Sequence, residues 1–172
     1  MRTLPFRLTS LTQKCTAALL SLAALSTPLH LNAQNKAPTI NISDGVVKMG
    51  LLLDMNSLYE DVAGMGTVTA VKMAIEDFGG KVHGMPIELI YADHQNKADL
   101  AGTKAREWFD TQKVDMIGDV AASATALSAA EVAKQKNKVI IMSGPGTSRL
   151  TNENCSPVRV HYTWDPYADR KS

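Results

Sequence analysis

The sequence has few of the residues on which metal binding and cross-linking most often depend. Only two of its 172 residues are cysteine, four are histidine, and aromatic residues make up 5%. Beyond the N-terminal region the histidines are His83, His94 and His161, which stand on separate segments without the spacing of metal ligands. The pattern therefore predicts no metal site, and nothing in the sequence indicates a cofactor.

Motifs of nucleotide-binding and hydrolytic enzymes are also missing. Gly64-Met65-Gly66 lacks the third glycine of a dinucleotide-binding turn, and no phosphate-binding loop or Gly-x-Ser-x-Gly elbow occurs. Asp54 could be the nucleophile of a haloacid-type hydrolase, but Asn56 stands where that role needs a second aspartate. The segment 93–96 (Asp-His-Gln-Asn) is expected to be a solvated start of a helix rather than a catalytic dyad. The sequence thus predicts a protein that is not an enzyme.

Residues 1–33 have the pattern of a secretory signal peptide. Arg2, Arg7 and Lys14 precede a short apolar run over 17–25, and small and polar residues follow, with cleavage expected after Ala33. Removing these three positive charges changes the formal charge from +1 to about −2, since +1 − 3 = −2. A mildly acidic chain lacks the electrostatic footprint of a nucleic-acid-binding protein.

Cleavage at that site leaves a single cysteine, Cys155, because Cys15 lies in the signal segment. An exported compartment permits disulfides, so an unpaired cysteine suggests a partner elsewhere or a missing piece of chain. Residues 34–45 are polar, contain Pro38 and Gly45, and are expected to form a flexible leader.

From residue 46 onward, short apolar runs alternate with segments of helical periodicity. The alternation favours right-handed crossover units and a doubly wound parallel sheet, the α/β class. On helical spacing, we expect positions 68, 71, 75 and 78 to face inward on the first helix, and 101, 105, 108 and 109 on the second. The predicted strands are 46–53, 86–91, 114–117, 139–142 and 158–162, and the predicted helices are 67–78, 98–109 and 121–135.

Three polar loops are expected at one edge of this sheet, where the winding direction reverses and ligands of open parallel sheets bind. They are 54–61, 119–125 and 143–148, all rich in small or hydroxyl-bearing residues and free of histidine and lysine. Ser123 and Thr147 could simply cap helices. Three such loops at one edge nevertheless favour a site for a small polar molecule.

Several stretches resemble the N-terminal lobe of periplasmic solute-binding proteins of ABC transporters, in the leucine/isoleucine/valine branch. These are "VVKMGLLLDMNSLYEDVAGMG", "AIEDFGGKVHGMPIELIYADHQNKAD", "AREWFDTQKVDMIGDV" and "SGPGTSRLTNENCSP". The resemblance implies a periplasmic-binding-protein type I lobe, one of two that close on an amino acid or a related small carboxylate or amide. It also implies a periplasmic location and ABC transporter membrane subunits as partners.

The resemblance further implies which residues contact the ligand. They are Ala122 and Ser123 after the third predicted strand, Pro145, Gly146 and Thr147 after the fourth, and Tyr59 with its neighbours Asn56 and Ser57 in the first loop. Thr147 is the best single match. The sequence departs from the family where Met55-Asn56-Ser57-Leu58-Tyr59 replaces Met-Ser-Gly-x-Tyr, and where alanine stands at 122. Both departures put an ordinary branched-chain ligand in doubt.

Relatives continue past the stretch matching 164–168 into a second lobe, whereas Asp169-Arg170-Lys171-Ser172 closes this sequence. The expected organisation is therefore a ligand-binding lobe over 46–165 and a truncated hinge or tail over 166–172. A single lobe encloses about half of a ligand, and pockets normally bury ~70–90% of one, so we expect weak binding by this chain alone. The alternatives are a stand-alone periplasmic interaction or sensor module, a non-functional fragment, and a small periplasmic hydrolase using Asp54.

Overall fold

The computed structural model describes residues 44–164 and Pro166. The predicted signal peptide, Cys15, most of the predicted leader and nearly all of the predicted tail lie outside these residues. The strands are β1 (Val47–Leu53), β2 (Lys81–Val82), β3 (Met85–Asp93), β4 (Met116–Gly118), β5 (Val139–Met142) and β6 (Arg159–His161). The helices are α1 (Glu60–Ala63), α2 (Met65–Asp77), α3 (Ala98–Asp110) and α4 (Ser123–Lys136), with a 3-10 turn at Ser148–Leu150.

The strands form one sheet in the order β2-β3-β1-β4-β5-β6. From β3 to β6 every neighbouring pair is parallel, which confirms the predicted doubly wound α/β fold. The chain adds β3 on one side of β1 and β4 on the other, so the winding reverses between β1 and β4. This is the position at which a doubly wound sheet leaves a crevice beyond its strand ends.

The short strand β2 was not predicted and is antiparallel to β3. His83 and Gly84 join the two strands with φ angles of 50° and 83°. A two-residue hairpin with both angles positive matches the right-handed twist of the strands, and glycine adopts this conformation without strain. The hairpin extends the sheet at the edge farthest from the candidate site.

The core lies on both faces of the sheet. In β1 the side chains alternate, with Leu52 facing α3 and α4, and Leu51 and Leu53 facing α2. The larger cluster includes Trp108 and Phe109, which the helical spacing placed inward. Burial on both faces explains why β1 appears in the sequence as a nearly continuous apolar run, broken only by Lys48, rather than an alternating one.

The inward stripe predicted for the first helix is wrong at its end. Val68 is fully buried, but Phe78 is 68% exposed. The helix ends at Asp77, and the chain then turns through Gly79 and Gly80, both with positive φ. Phe78 is the C-cap residue, and its exposed side chain does not extend the stripe.

Within residues 44–164 and Pro166, no helix combines the length and the apolar character needed to cross a membrane.

Candidate functional site

An open cleft of about 540 Å³ lies beyond the carboxyl ends of β1, β4 and β5. It is formed by the three loops expected at this edge, together with the segment after β6. Its described lining is Tyr59, Ala121, Ser123, Gly144, Gly146, Thr147, Ser148, Trp164 and Pro166. Of the predicted ligand contacts, Tyr59, Ser123, Gly146 and Thr147 line the cleft, whereas Asn56, Ser57, Ala122 and Pro145 do not.

The loop after β1 is organised by the buried carboxylate of Asp54. Ser57 donates its hydroxyl to both carboxylate oxygens at 2.6 Å, and the backbone N–H of Tyr59 donates to Oδ2 at 3.0 Å. Although burial by itself would raise the pKa of Asp54, the hydrogen bonds from Ser57 and Tyr59 hold that pKa below its usual range. The ionised carboxylate thus turns the chain so that Tyr59 reaches the cleft at the start of α1.

A second carboxylate, Asp93 at the end of β3, holds the other side of the same loop. It accepts the backbone N–H of Met55 at 3.2 Å and the side-chain amide of Asn56 at 2.5 Å. Asn56 therefore bonds within the protein rather than into the cleft, and Ser57 does the same through Asp54. Both side chains position the loop that carries Tyr59.

The loops after β4 and β5 are tied together directly. Ser143 donates its hydroxyl to Asp119 at 2.7 Å, and the N–H of Asp119 donates to the carbonyl of Ile141 at 2.9 Å. Asp119 adopts a φ of 50°, a left-handed conformation that aspartate tolerates better than most residues. At Gly144 a Cβ atom would lie 2.9 Å from the Cα of Ala121, so only glycine allows this approach without displacing the backbone.

Helix α4 begins at the cleft, with Ala122 as its N-cap and no side-chain cap. The first-turn N–H groups of a helix have no partner within the helix, and the dipole makes this end favourable for an anion. Ser123 is the first helical residue, not the cap, and lines the cleft. Ala122 is buried, and its carbonyl accepts the Thr125 hydroxyl at 2.8 Å.

In the loop after β5, Thr147 and Pro145 have different roles. Thr147 caps the 3-10 turn by accepting the N–H of Arg149 at 3.4 Å, which leaves its own O–H available to a ligand. Pro145 is buried, and its carbonyl lies 2.6 Å from Nε2 of His161. Thr147 therefore faces the cleft, while Pro145 anchors the loop to β6.

Trp164 is a cleft residue that the sequence did not single out. A Cβ on Gly146 would lie 2.9, 3.1 and 3.3 Å from three carbons of its six-membered ring, so the indole lies on the Gly146 backbone. The side chain is 60% exposed. The available signal was topological, because the segment after β6 emerges at the same edge as the other loops of a parallel sheet.

His94, expected in a solvated helix start, is instead fully buried. Its Nδ1 accepts the N–H of Asn96 at 3.0 Å, and its Nε2 has no hydrogen-bond partner among the described residues. Burial lowers the pKa of His94, against the opposing charges of Asp54, Asp93 and Asp119. The imidazole is therefore held neutral beside the carboxylate that organises the first loop.

This burial predicts that acidification destabilises the protein. The pKa of His94 is lower when folded than when unfolded, so the unfolded chain takes up the proton first, and stability falls once the pH drops below about 6.5. The slope cannot exceed about 1.4 kcal/mol per pH unit for one group. We expect His94→Asn, which keeps an acceptor for Asn96, to reduce the difference between the urea unfolding midpoints measured at about pH 7.5 and at about pH 5.5.

The matched control is His83→Asn, at the exposed hairpin turn. Asparagine also tolerates the positive φ of this position, so the hairpin is kept while one exposed histidine is removed. We expect this variant to show the pH dependence of the wild type. An equal pH slope in wild type and His94→Asn would contradict the assignment.

The cleft carries no charged side chain among its described lining residues. Its donors are hydroxyl groups, backbone N–H groups and the indole N–H of Trp164. Asp54 is inaccessible to solvent, so a substrate cannot reach it as a nucleophile. No group of three or more histidine, cysteine, aspartate or glutamate residues that could hold a metal ion occurs among the described residues.

Comparison with known proteins agrees with the resemblance seen in the sequence. A family model described as periplasmic binding protein matches residues 46–171. A search of curated proteins gives no match. Among solved structures, a periplasmic binding protein from Burkholderia mallei is 54% identical with a TM-score of 0.69, covering 70% of this chain and 32% of its own.

Two further structures are similar. A branched chain amino acid ABC transporter periplasmic ligand-binding protein from Burkholderia xenovorans LB400 is 41% identical with a TM-score of 0.67, covering 69% of this chain and 32% of its own. A solute binding protein of an ABC transporter from Rhodopseudomonas palustris BisB5, in complex with 3,4-dihydroxy benzoic acid, is 28% identical with a TM-score of 0.63. That match covers 70% of this chain and 32% of the Rhodopseudomonas protein. The chain thus spans about a third of the length of each of these relatives.

Proposed function

Since the chain belongs to the periplasmic binding protein family, we propose that it is a solute-binding component of an ABC importer and that it holds a small carboxylate or amide in its cleft. Its place of action is the periplasm, and its partners are the membrane subunits of the transporter. Proteins of this family bind substrates for transport and are not enzymes. That agrees with a cleft whose described lining has hydroxyl and backbone donors but no charged side chain.

One observation carries the proposal: Ser123, Thr147 and the uncapped N-terminus of α4 meet at the same cleft. Backbone N–H groups at a helix start, oriented with the helix dipole, favour a carboxylate. The Thr147 hydroxyl supplies a further donor from the opposite loop. Binding through neutral donors holds an anion without offering a group that reacts with it.

The relatives support the class of ligand. The Rhodopseudomonas palustris protein is in complex with 3,4-dihydroxy benzoic acid, a small carboxylic acid. The Burkholderia xenovorans protein is described as a branched chain amino acid transporter component. The carboxylate is the group that these two classes of solute share, and it is the group that the cleft is suited to hold.

Thr147→Val is the direct test. In NMR titrations of the 172-residue chain with 3,4-dihydroxybenzoate and with isoleucine, we expect at least one to shift the backbone amides of Ser123 and Thr147. Because a hydrogen bond to a charged group is lost, Thr147→Val should raise the dissociation constant roughly tenfold.

The matched control is Thr151→Val at the other end of the same 3-10 turn, where the hydroxyl bonds to the Ser148 carbonyl outside the cleft. It should leave affinity unchanged. If neither carboxylate moved the cleft amides at millimolar concentration, or if both variants behaved alike, the proposal would be wrong.

A further inference from the structure

The bulky side chains of the cleft are two aromatic rings. Tyr59 comes from the loop after β1 and Trp164 from the segment after β6, while most of the other described lining residues are glycine, alanine, serine or threonine. Small residues leave space, and the aromatic residues supply the apolar surface around it. The shape of a ligand that fits this cleft is therefore set mainly by these two rings.

The orientation of Trp164 is defined by its contact with Gly146. Three carbons of the six-membered ring lie against the position that a Cβ atom on Gly146 would occupy, so one side of the indole rests on the backbone. The side chain as a whole remains 60% exposed. An indole supported on one side presents its other surface at the cleft without a large loss of side-chain freedom on binding.

We propose that the solute is an aromatic carboxylate whose ring packs against Tyr59 and Trp164, an inference that rests on the proposed function of the cleft. Offset or edge-to-face contacts with tyrosine and tryptophan favour an aromatic ring over a saturated ring of the same size. The carboxylate would lie toward Ser123 and Thr147, where the neutral donors meet.

The charges of the cleft favour this class over an α-amino acid. An amino acid also brings an ammonium group, which needs a carboxylate or several acceptors once it is removed from water. No described residue of the lining supplies a carboxylate. Among the carboxylates of the loops around the cleft, Asp54 is engaged with Ser57 and Tyr59, and Asp119 with Ser143. Glu60 and Asp61 follow Tyr59 at exposed positions outside the described lining. A benzoate-like solute leaves no such group unpaired.

The test compares benzoate with cyclohexanecarboxylate, which has the same carboxylate and ring size but no π system, and with isoleucine. The indole N–H resonance of Trp164 reports binding, and Trp108, which is buried in the core, is the internal reference. We expect benzoate to bind the 172-residue chain roughly fivefold more tightly than cyclohexanecarboxylate, and more tightly than isoleucine.

Three variants test which side chains cause that preference. Trp164→Leu should reduce the ratio of the cyclohexanecarboxylate dissociation constant to the benzoate dissociation constant to near one. Gly146→Ala, whose Cβ would displace the indole, should reduce it while keeping both aromatic side chains. Tyr162→Leu is the matched control, an aromatic residue 81% exposed and outside the described lining, and should leave the preference unchanged. Amide spectra check that each variant is folded.

The outcomes separate this inference from the proposed function. Equal affinities for benzoate and cyclohexanecarboxylate, with binding still weakened by Thr147→Val, would overturn the aromatic preference and leave the carboxylate site standing. Tighter binding of isoleucine, or a benzoate preference that survives Trp164→Leu, would also overturn it. If no carboxylate moved any cleft resonance, both proposals would fall together.

Discussion

Replacing Asp54 with alanine is expected to lower the free energy of unfolding by about 3 kcal/mol. The carboxylate is buried and accepts the Ser57 hydroxyl and the Tyr59 N–H, both at hydrogen-bonding distance. Hydrogen bonds to a charged group are each worth about 1.5–3 kcal/mol, and removing the acceptor leaves both donors unpaired. The depressed pKa of Asp54 agrees with a carboxylate that is stabilised in its charged form.

The same substitution is expected to change the cleft, because the bonds of Asp54 fix the loop that carries Tyr59. Without them, the side-chain hydrogen bonds that remain in this loop are those of Asp93 to the Met55 N–H and to the Asn56 amide. We therefore expect the amide resonances of Tyr59 and of α1 to broaden or shift, while those of β5 stay in place. A loss of stability with no change at Tyr59 would contradict this positioning role.

Urea denaturation of Asp54→Ala, Asp54→Asn and Asp44→Ala separates the contributions. Asparagine keeps the size and one acceptor oxygen, so Asp54→Asn should lower the free energy of unfolding by an intermediate amount. Asp44 also accepts a backbone N–H, that of Val46 at 3.3 Å, but it is exposed, so its replacement should cost less than about 0.5 kcal/mol. An Asp54→Ala loss no larger than that of Asp44→Ala would refute the argument.

Much of the fold could be predicted because strands that are buried on both faces of a parallel sheet appear in the sequence as short apolar runs. Strand β5 was predicted with the bounds that it has, and β1 within one residue, since the first is an uninterrupted apolar run and the second is interrupted only by Lys48. Helix α1 and strand β2 have no comparable pattern in the sequence. The first has four residues and starts beside the Asp54 bonds, and the second has two residues and depends on a hairpin turn.

The position of the candidate site could also be predicted, but the direction in which each side chain points could not. Topology placed three loops at one edge of the sheet, and the structure brings them around one cleft. Asn56 has a polar side chain in the first loop, yet its partner, Asp93, is 37 residues away. Such a pairing has no local signal, and neither does the packing of Trp164 on Gly146.

The second large effect is expected at the centre of the sheet, where Gly50→Ala should destabilise the protein by about 3 kcal/mol. Gly50 lies in β1 between Ile90 of β3 and Ile117 of β4. A Cβ at this position would lie 2.5 Å from two ring carbons of Trp108, which is almost completely buried. Alanine normally gains about 0.5–1 kcal/mol over glycine in a strand, so the steric overlap must outweigh that gain.

A double-mutant cycle with Trp108→Phe tests the cause, because a smaller ring vacates the space that the new methyl group needs. We expect the cost of Gly50→Ala to fall by at least about 1 kcal/mol in the Trp108→Phe background. Gly66→Ala is the control of opposite sign, since a Cβ there meets nothing within 4 Å and helix α2 favours alanine.

If Gly50→Ala were neutral in both backgrounds, the indole would have to move without loss, which a close-packed interior does not permit. The overlap would also act on the cleft indirectly. Helix α3 carries Trp108 and packs against α4, whose N-terminus opens on the cleft. A shift of α3 large enough to admit the methyl group should therefore reach Ser123, and the amide of Ser123 is the resonance that would report it.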